Sequence, residues 1–204
     1  MTLPILSIIG SYLIGSISFS VLFAKWLRGI DIRQHGSGNA GATNTLRILG
    51  KGPAFCVLLL DALKGISAVL LGYLVSDASW VAVVCGIAAI AGHNWPIFFR
   101  FRGGKGIATT IGVLAVLAFW AALSASVFAI LTIVWKRYVS LGSLVFAFLT
   151  PVFIWLYKYD SSIFLGSVLL CLFAFFAHRN NIVKLMKGTE NRLGSSKGGE
   201  ARVR

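Results

Sequence analysis

Residues Ile107–Trp135 read IATTIGVLAVLAFWAALSASVFAILTIVW, 29 residues without one charge. A single straight helix of that length would run roughly 43 Å, against a bilayer hydrocarbon core of about 30 Å. The stretch is therefore either one strongly tilted helix or two short ones folded back as a hairpin. Its flanks decide. Arg100, Arg102 and Lys105 precede it and Lys136-Arg137 follow it. Lys and Arg collect on the cytoplasmic side of membrane proteins, and only a hairpin returns both groups to one face.

Working outward, five further runs have the length and composition of bilayer spans: Leu3–Ala24, Pro53–Val75, Ser79–Phe99, Val139–Tyr157 and Ser161–Ala177. The first has no Lys or Arg before it and Lys25 and Arg28 after it, which places the N-terminus outside. With the hairpin counted as two, the C-terminus is cytoplasmic and so are all but Lys64 and Lys158 of the 19 basic residues. The expected fold is an all-α integral membrane bundle of about seven transmembrane helices, with a short-helix hairpin near 107–135. Gly10, Gly15 and Ser16-Ile17-Ser18 in the first span, and Gly65 and Gly72 in the second, suit close helix contacts.

Composition agrees with a membrane protein. Apolar residues make up 57% of the 204 and charged ones 12%, and the mean hydropathy is +0.85. The length suits one membrane-embedded domain, residues 1–194, followed by a Gly/Ser/Lys-rich basic tail at 195–204 that is expected to be disordered. A net charge of +13 would suggest nucleic acid in a soluble protein. Here it follows from cytoplasmic loops, and no basic and aromatic platform lies outside the spans, so no nucleic-acid partner is expected. Cys56, Cys85 and Cys171 sit singly in apolar runs without ligand spacing and read as small buried hydrophobes. The N-terminal run lacks a basic start and a cleavage site, and reads as an uncleaved span. No internal repeat is visible.

Three polar segments interrupt the apolar chain, and the topology puts all three on the cytoplasmic face. The first is Gly36-Ser37-Gly38-Asn39-Ala40-Gly41-Ala42-Thr43-Asn44. It fits G-x-G-x-x-G by accident, since a span and a short loop precede it where a dinucleotide site needs a strand. Its glycines still expose backbone donors, Thr43 or Asn44 can cap a helix starting near Thr45, and Arg47 falls one turn into that helix. The second runs from Gly92-His93-Asn94-Trp95-Pro96 to Arg102-Gly103-Gly104-Lys105-Gly106. Phe99 stands at the first glycine position of a Walker A loop, so this is not one. Two glycines, a lysine and a helix opening at Ile107 nevertheless make an anion cradle. The third is His178-Arg179-Asn180-Asn181 through Gly188-Thr189-Glu190, with His178 and Asn181 on one face if the last helix continues. Glu190 is the only acid in these segments. Asp61 and Lys64 lie at i, i+3 inside a span, where ionisable groups are costly, and read as a structural pair.

Several chemistries lack their residues. No H-x-x-x-x-D follows any histidine, no G-x-S-x-G elbow is present, and no acid cluster offers a Mg²⁺ site. Neither metal nor cofactor is expected. The remaining reading is a membrane-embedded site for phosphorylated compounds, either an enzyme or a transporter or channel for organic phosphates.

At the three segments the chain resembles the bacterial acyl-phosphate-dependent glycerol-3-phosphate acyltransferases. The resemblance runs through Gly36-Ser37-Gly38-Asn39-x-Gly41-x-Thr43-Asn44 with Arg47, and through Gly92-His93-x-x-Pro96 to Phe101-x-Gly103-Gly104-Lys105-Gly106 and Ala108-Thr109. It continues in His178-Arg179-x-Asn181-Ile182 through Gly188-Thr189-Glu190, and includes Asp61-x-x-Lys64-Gly65. It implies a seven-span enzyme of the bacterial cell membrane, acting as a monomer, with its active site on the cytoplasmic face. The reaction implied is acyl transfer from a fatty acyl phosphate to the 1-hydroxyl of glycerol 3-phosphate, giving lysophosphatidic acid and inorganic phosphate. The implied catalytic set is Ser37, Arg47, Lys105, His178 and Asn181. Gly38, Asn39, Gly41, Thr43, Asn44, Gly103, Gly104, Gly106 and Thr109 would bind substrate, and Asp61, Lys64, His93 and Glu190 would support the site. Either His178 or a phosphate oxygen of the substrate would take the hydroxyl proton. The acyl chain would lie in a groove between helices, toward lipid.

Overall fold

The computed structural model describes residues 2–194, and these are all-helical, with no strand among them. The tail at 195–204 lies outside the described residues. In chain order the helices are α1 (Thr2–Gly15), α2 (Phe19–Arg28), α3 (Ala42–Leu49), α4 (Lys51–Val75), α5 (Ser79–Asn94) and α6 (Ile107–Leu117). They continue with α7 (Phe119–Lys136), α8 (Val139–Leu156), α9 (Ser161–Ala177) and α10 (Arg179–Met186).

The stretch 107–135 does break, at Ala118, whose backbone leaves the helical region at φ −154, ψ 60. The two arms are unequal. α7, with 18 residues, is long enough to cross a bilayer, whereas α6, with 11, spans only about 16 Å. Five segments are long and apolar enough to cross: 2–28, 51–75, 79–99, 119–136 and 139–156. The pair α9 and α10 makes a sixth if taken as one span bent by 60°.

Two details differ from the sequence reading, and each has a local cause. The first span is not one helix: it breaks at Ser16–Ser18, where Ser16 Oγ donates to Tyr12 O at 2.9 Å, and it then runs on to Arg28. A carbonyl freed in a membrane needs a donor. Lys64 Nζ supplies one, reaching Ile17 O at 2.9 Å. The last helix does not continue through Asn181. It ends at His178, whose side chain turns back on Ala174 O, and α10 sets off in a new direction.

Inside and outside follow membrane rules. The interior is built of small and β-branched residues, with Ala82, Val113, Ala121 and Ala125 buried between α4–α9, and Leu74 and Val134 stand exposed on the outer face. Gly112, Gly15 and Gly65 mark close helix approaches: a Cβ there would lie 1.9 Å from Ala62 O, 2.1 Å from Ala89 O and 2.3 Å from Thr109 O. A second small core, Val21, Ala24, Ile32 and Ala40, seats the first loop on α2.

Candidate active site

Each of the three polar segments folds against its own helix end before it faces the others. In the first, helix α3 begins at Ala42 with Gly41 as its N-cap, three residues earlier than the sequence suggested, and no side chain caps it. Asn44 is occupied elsewhere. It is buried, its Oδ1 accepts from Ser37 N at 2.9 Å, and its Nδ2 donates to His35 O at 3.0 Å and Ile32 O at 3.2 Å. The amide that looked like a helix cap is the internal brace of the glycine loop.

The second segment is stitched to the end of α5. Gly103 N donates to Asn94 O at 3.2 Å and Gly104 N to His93 O at 3.0 Å. Gly104 leaves no room for a side chain, since a Cβ would stand 2.1 Å from His93 Nε2 and 2.6 Å from Ala40 O. His93 in turn is held from behind: Lys64 Nζ is 2.8 Å from its Nδ1 and 2.8 Å from Asp61 Oδ1. The buried Asp61–Lys64–His93 group thus ties the break in the first span to the second glycine segment.

A further link joins the first two loops. Arg33 pairs with Asp31 at 2.7 Å and donates to Phe99 O at 2.7 Å. The guanidinium holds the Asp31 carboxyl below its usual range, first through the side-chain hydrogen bond. Sequence reading passed over this clamp because neither residue belongs to a glycine-rich motif.

Together these supports frame a cavity of about 390 Å³. From the first segment come Ser37, Asn39, Gly41, Thr43, Asn44 and Arg47, and from the second Lys105 and Gly106. The third contributes His178, Asn181 and Glu190, and Asp61 and His93 reach the wall from α4 and α5. Gly38, Gly103, Gly104, Thr109 and Lys64 do not line it. Ser140, which sequence reading missed, joins it from the start of α8. Its one signal was its position just after the basic Lys136-Arg137 pair.

The polar end is a connected network. Lys105 Nζ donates to Asn181 Oδ1 at 2.5 Å, Asn181 Nδ2 to Glu190 Oε1 at 2.8 Å, and Ser140 Oγ to the same oxygen at 2.9 Å. Glu190 Oε2 is buried without a hydrogen-bond partner. Burial brings Lys105 down to about 8, with Glu190 opposing and Arg47 and Lys184 adding to the fall. Arg47 is lowered by burial too, again opposed by Glu190. Helices α3 and α6 both start at this end, so two sets of unpaired N–H groups face it beside the two cations. Such an arrangement of cations and helix starts suits an anion.

His178, just past the end of α9, has one defined tautomer. A carbonyl only accepts, so the 2.8 Å contact with Ala174 O puts the proton on Nδ1 and leaves Nε2 as an acceptor. Burial, then the charge of Lys105, lowers it to about 4. It is a neutral imidazole throughout the physiological range.

Away from the charges the cavity turns apolar. Leu58, Ile111, Ala129, Ile130, Ile133 and Phe146 line an arm between α4, α6, α7 and α8. A cationic end joined to an apolar arm within a membrane bundle defines a class: an integral membrane protein whose cavity is polar at one end and apolar at the other.

Comparison with known proteins narrows this. A sequence model of the glycerol-3-phosphate acyltransferase family matches residues 5–188. Proteins named glycerol-3-phosphate acyltransferase from Halalkalibacterium halodurans and Shouchella clausii are 54% and 52% identical. They cover 97% and 93% of this chain, and 98% and 96% of their own length is matched. Among solved structures, the glycerol 3-phosphate form of PlsY (YgiH), an integral membrane glycerol 3-phosphate acyltransferase, superposes with a TM-score of 0.89 at 38% identity. That match covers 94% of this chain and 96% of the other. Its lysophosphatidic acid form gives 0.86 at 37% identity, covering 94% and 95%. The chain belongs to the glycerol-3-phosphate acyltransferase family.

Proposed function

We propose that this protein transfers a fatty acyl group from an acyl phosphate to the 1-hydroxyl of glycerol 3-phosphate, on the cytoplasmic face of the bacterial cell membrane. The products are lysophosphatidic acid and inorganic phosphate. The observation that carries this reading is the shape of the cavity: two cations and two helix N-termini at one end, an apolar arm at the other. A thioester donor would bring no phosphate next to its carbonyl, whereas an acyl phosphate and glycerol 3-phosphate each bring one. The relatives' names supply the acceptor, and a solved relative has been crystallised in a glycerol 3-phosphate form.

Because phosphate is a good leaving group, the donor arrives activated and the protein's task is positioning and charge compensation. Arg47, Lys105 and the N–H groups of α3 and α6 hold the two phosphates, with Ser37, Asn39 and Thr43 completing the first wall. His178 and Asn181 orient the glycerol. The 1-hydroxyl oxygen bonds to the carbonyl carbon, the carbon–oxygen bond to the donor phosphate breaks, and the hydroxyl proton leaves. A phosphate oxygen with a second pKa of about 6 is a stronger base than an imidazole near 4, so the phosphate takes the proton and His178 Nε2 accepts a hydrogen bond that aims the hydroxyl. No step asks for a metal or a cofactor.

The test uses purified protein in lipid with glycerol 3-phosphate and either palmitoyl phosphate or palmitoyl-CoA. Lysophosphatidic acid from acyl phosphate is the expected result. Product from the thioester alone overturns the donor, and glycerol 3-phosphate uptake into vesicles without any acyl product would favour a transporter.

A further inference from the structure

Beyond α10 the chain lies against the turn between α7 and α8 in a fixed register. Ser140 Oγ donates to Glu190 Oε1 at 2.9 Å, and Arg192 Nε donates to the Tyr138 hydroxyl at 3.1 Å with its guanidinium 5.5 Å from the ring centre. Leu193 N donates to Arg137 O at 2.6 Å, while Leu193 O accepts from Arg137 Nε at 3.2 Å and Nη2 at 2.9 Å. Each step back along 140, 138 and 137 is matched by an equal step forward along 190, 192 and 193, so the two stretches run antiparallel and form a strap. Of these residues Ser140 and Glu190 line the cavity. Glu190 gives Oε1 to Ser140 and Asn181, and its Oε2 is buried without a hydrogen-bond partner. A carboxylate oxygen in that state would gain by turning out to water, so something must hold it in. Upstream, Thr189 N donates to Lys184 O at 2.8 Å where α10 ends. Downstream, Arg137 takes both backbone groups of Leu193.

Resting on the acyl-transfer reading above, we infer that Arg137 is a positioning residue: by clamping the strap it keeps Glu190 in the cavity, and through Glu190 it fixes the amide of Asn181 with Oδ1 toward Lys105. Once the carboxylate leaves, nothing holds Asn181 Nδ2 away from the lysine. Lys105 faces Glu190, Arg47 on α3, Lys184 on α10 and the neutral His178, and Glu190 is the acid among them. Releasing it removes the group that opposes the fall of the lysine's pKa. The sign of the change is diagnostic, because loss of a positive charge alone would ease repulsion and raise that pKa.

Arg137 is exposed and sits at φ 62, a conformation that glycine adopts freely, so Arg137→Gly removes the side chain of the clamp without straining the turn. The experiment measures kcat/KM for glycerol 3-phosphate from pH 6 to about 9.5 in the wild type, Arg137→Gly, Arg137→Lys, Glu190→Gln and the double variant Arg137→Gly/Glu190→Gln. Arg137→Gly is expected to move the alkaline fall to lower pH by about half a unit or more, which is about threefold in kcat/KM above the fall. Arg137→Lys, which keeps the charge and one donor, should move it in the same direction by less, and carries the test if the glycine variant does not fold. At about pH 7 Arg137→Gly should lower kcat/KM severalfold in the wild-type background and little in Glu190→Gln, because the two changes act on one group. A fall that stays in place or moves to higher pH overturns the assignment, as does an equal loss in both backgrounds. If Glu190→Gln does not fold, the direction of the shift decides, and if the wild-type profile is flat, the comparison of backgrounds decides. If the wild type gives no product from acyl phosphate, the reading above falls, while calorimetric binding of glycerol 3-phosphate across the same pH range and variants still decides the role of Arg137.

Discussion

Replacing Lys105 by Met leaves a similar stem and removes the charge. The ammonium is part-buried at the polar end, donates to Asn181, and sits in the field of Glu190 and Arg47. A hydrogen bond to a charged group contributes about 1.5–3 kcal/mol, so loss of the lysine should lower kcat/KM for glycerol 3-phosphate by roughly 10- to 150-fold. The same residue gives the wild type a pH signature. In the unoccupied site it titrates at about 8, and it is the protonated form that attracts phosphate. As pH rises through that value the charge is lost, so kcat/KM should be level between the substrate phosphate's pKa of about 6 and that value, and then fall about tenfold per pH unit. A bound dianion favours the charged lysine and moves the fall in kcat to higher pH, by one unit for each 1.36 kcal/mol or so of added interaction. The assay is initial-rate phosphate release from pH 6 to about 9.5, corrected for spontaneous hydrolysis of the donor. Lys105→Arg, whose side chain stays charged, should abolish the alkaline fall whatever its activity. A wild-type profile flat to the alkaline end would refute the reasoning.

Three further outcomes follow from the same geometry. Asn44→Ala removes three hydrogen bonds from the first loop, two of them accepted by carbonyls that lose their donor. It should cost about 2–4 kcal/mol and lower the thermal midpoint, with activity falling as the loop loosens. Gly104→Ala pushes a methyl into His93 and Ala40 O, so turnover should drop by about 100-fold or more even where circular dichroism shows the helices intact. His178→Gln keeps an acceptor without a titrating ring. It should retain more activity than His178→Ala, and the acid limb of the wild-type profile, set by the substrate phosphate near pH 6, should persist in both, as followed by kcat/KM against pH.

Much of the fold was legible because a bilayer imposes few solutions. The length of Ile107–Trp135 and the basic residues beside it foretold the break, since a long uncharged run must tilt or turn. The sequence did not foretell that Ala118 divides it into arms of 11 and 18 residues. An alanine carries no breaker signal, and tertiary packing chooses the point. The break at Ser16–Ser18 was visible only as small residues. What makes it tolerable is Lys64, 47 positions away. Of the site, Arg47, Lys105, His178 and Asn181 come together at one cavity because glycine-rich turns and helix starts have strong local signatures. Asn44 misled because a polar amide at a helix start looks the same whether it caps or braces. Ser140 and Arg33 were invisible for a different reason: their partners Glu190 and Phe99 are distant in sequence, and neither carries a local motif.

The central claim is direct transfer between two anions held in one cavity, and a single-turnover experiment tests it most directly. Purified protein saturated with acyl phosphate is quenched at intervals, first without glycerol 3-phosphate and then with it, and phosphate and lysophosphatidic acid are counted together. No phosphate above the spontaneous rate should appear until glycerol 3-phosphate is added, and then one should form for each lysophosphatidic acid. A stoichiometric burst of phosphate without the acceptor would reveal a covalent acyl-enzyme and contradict the account.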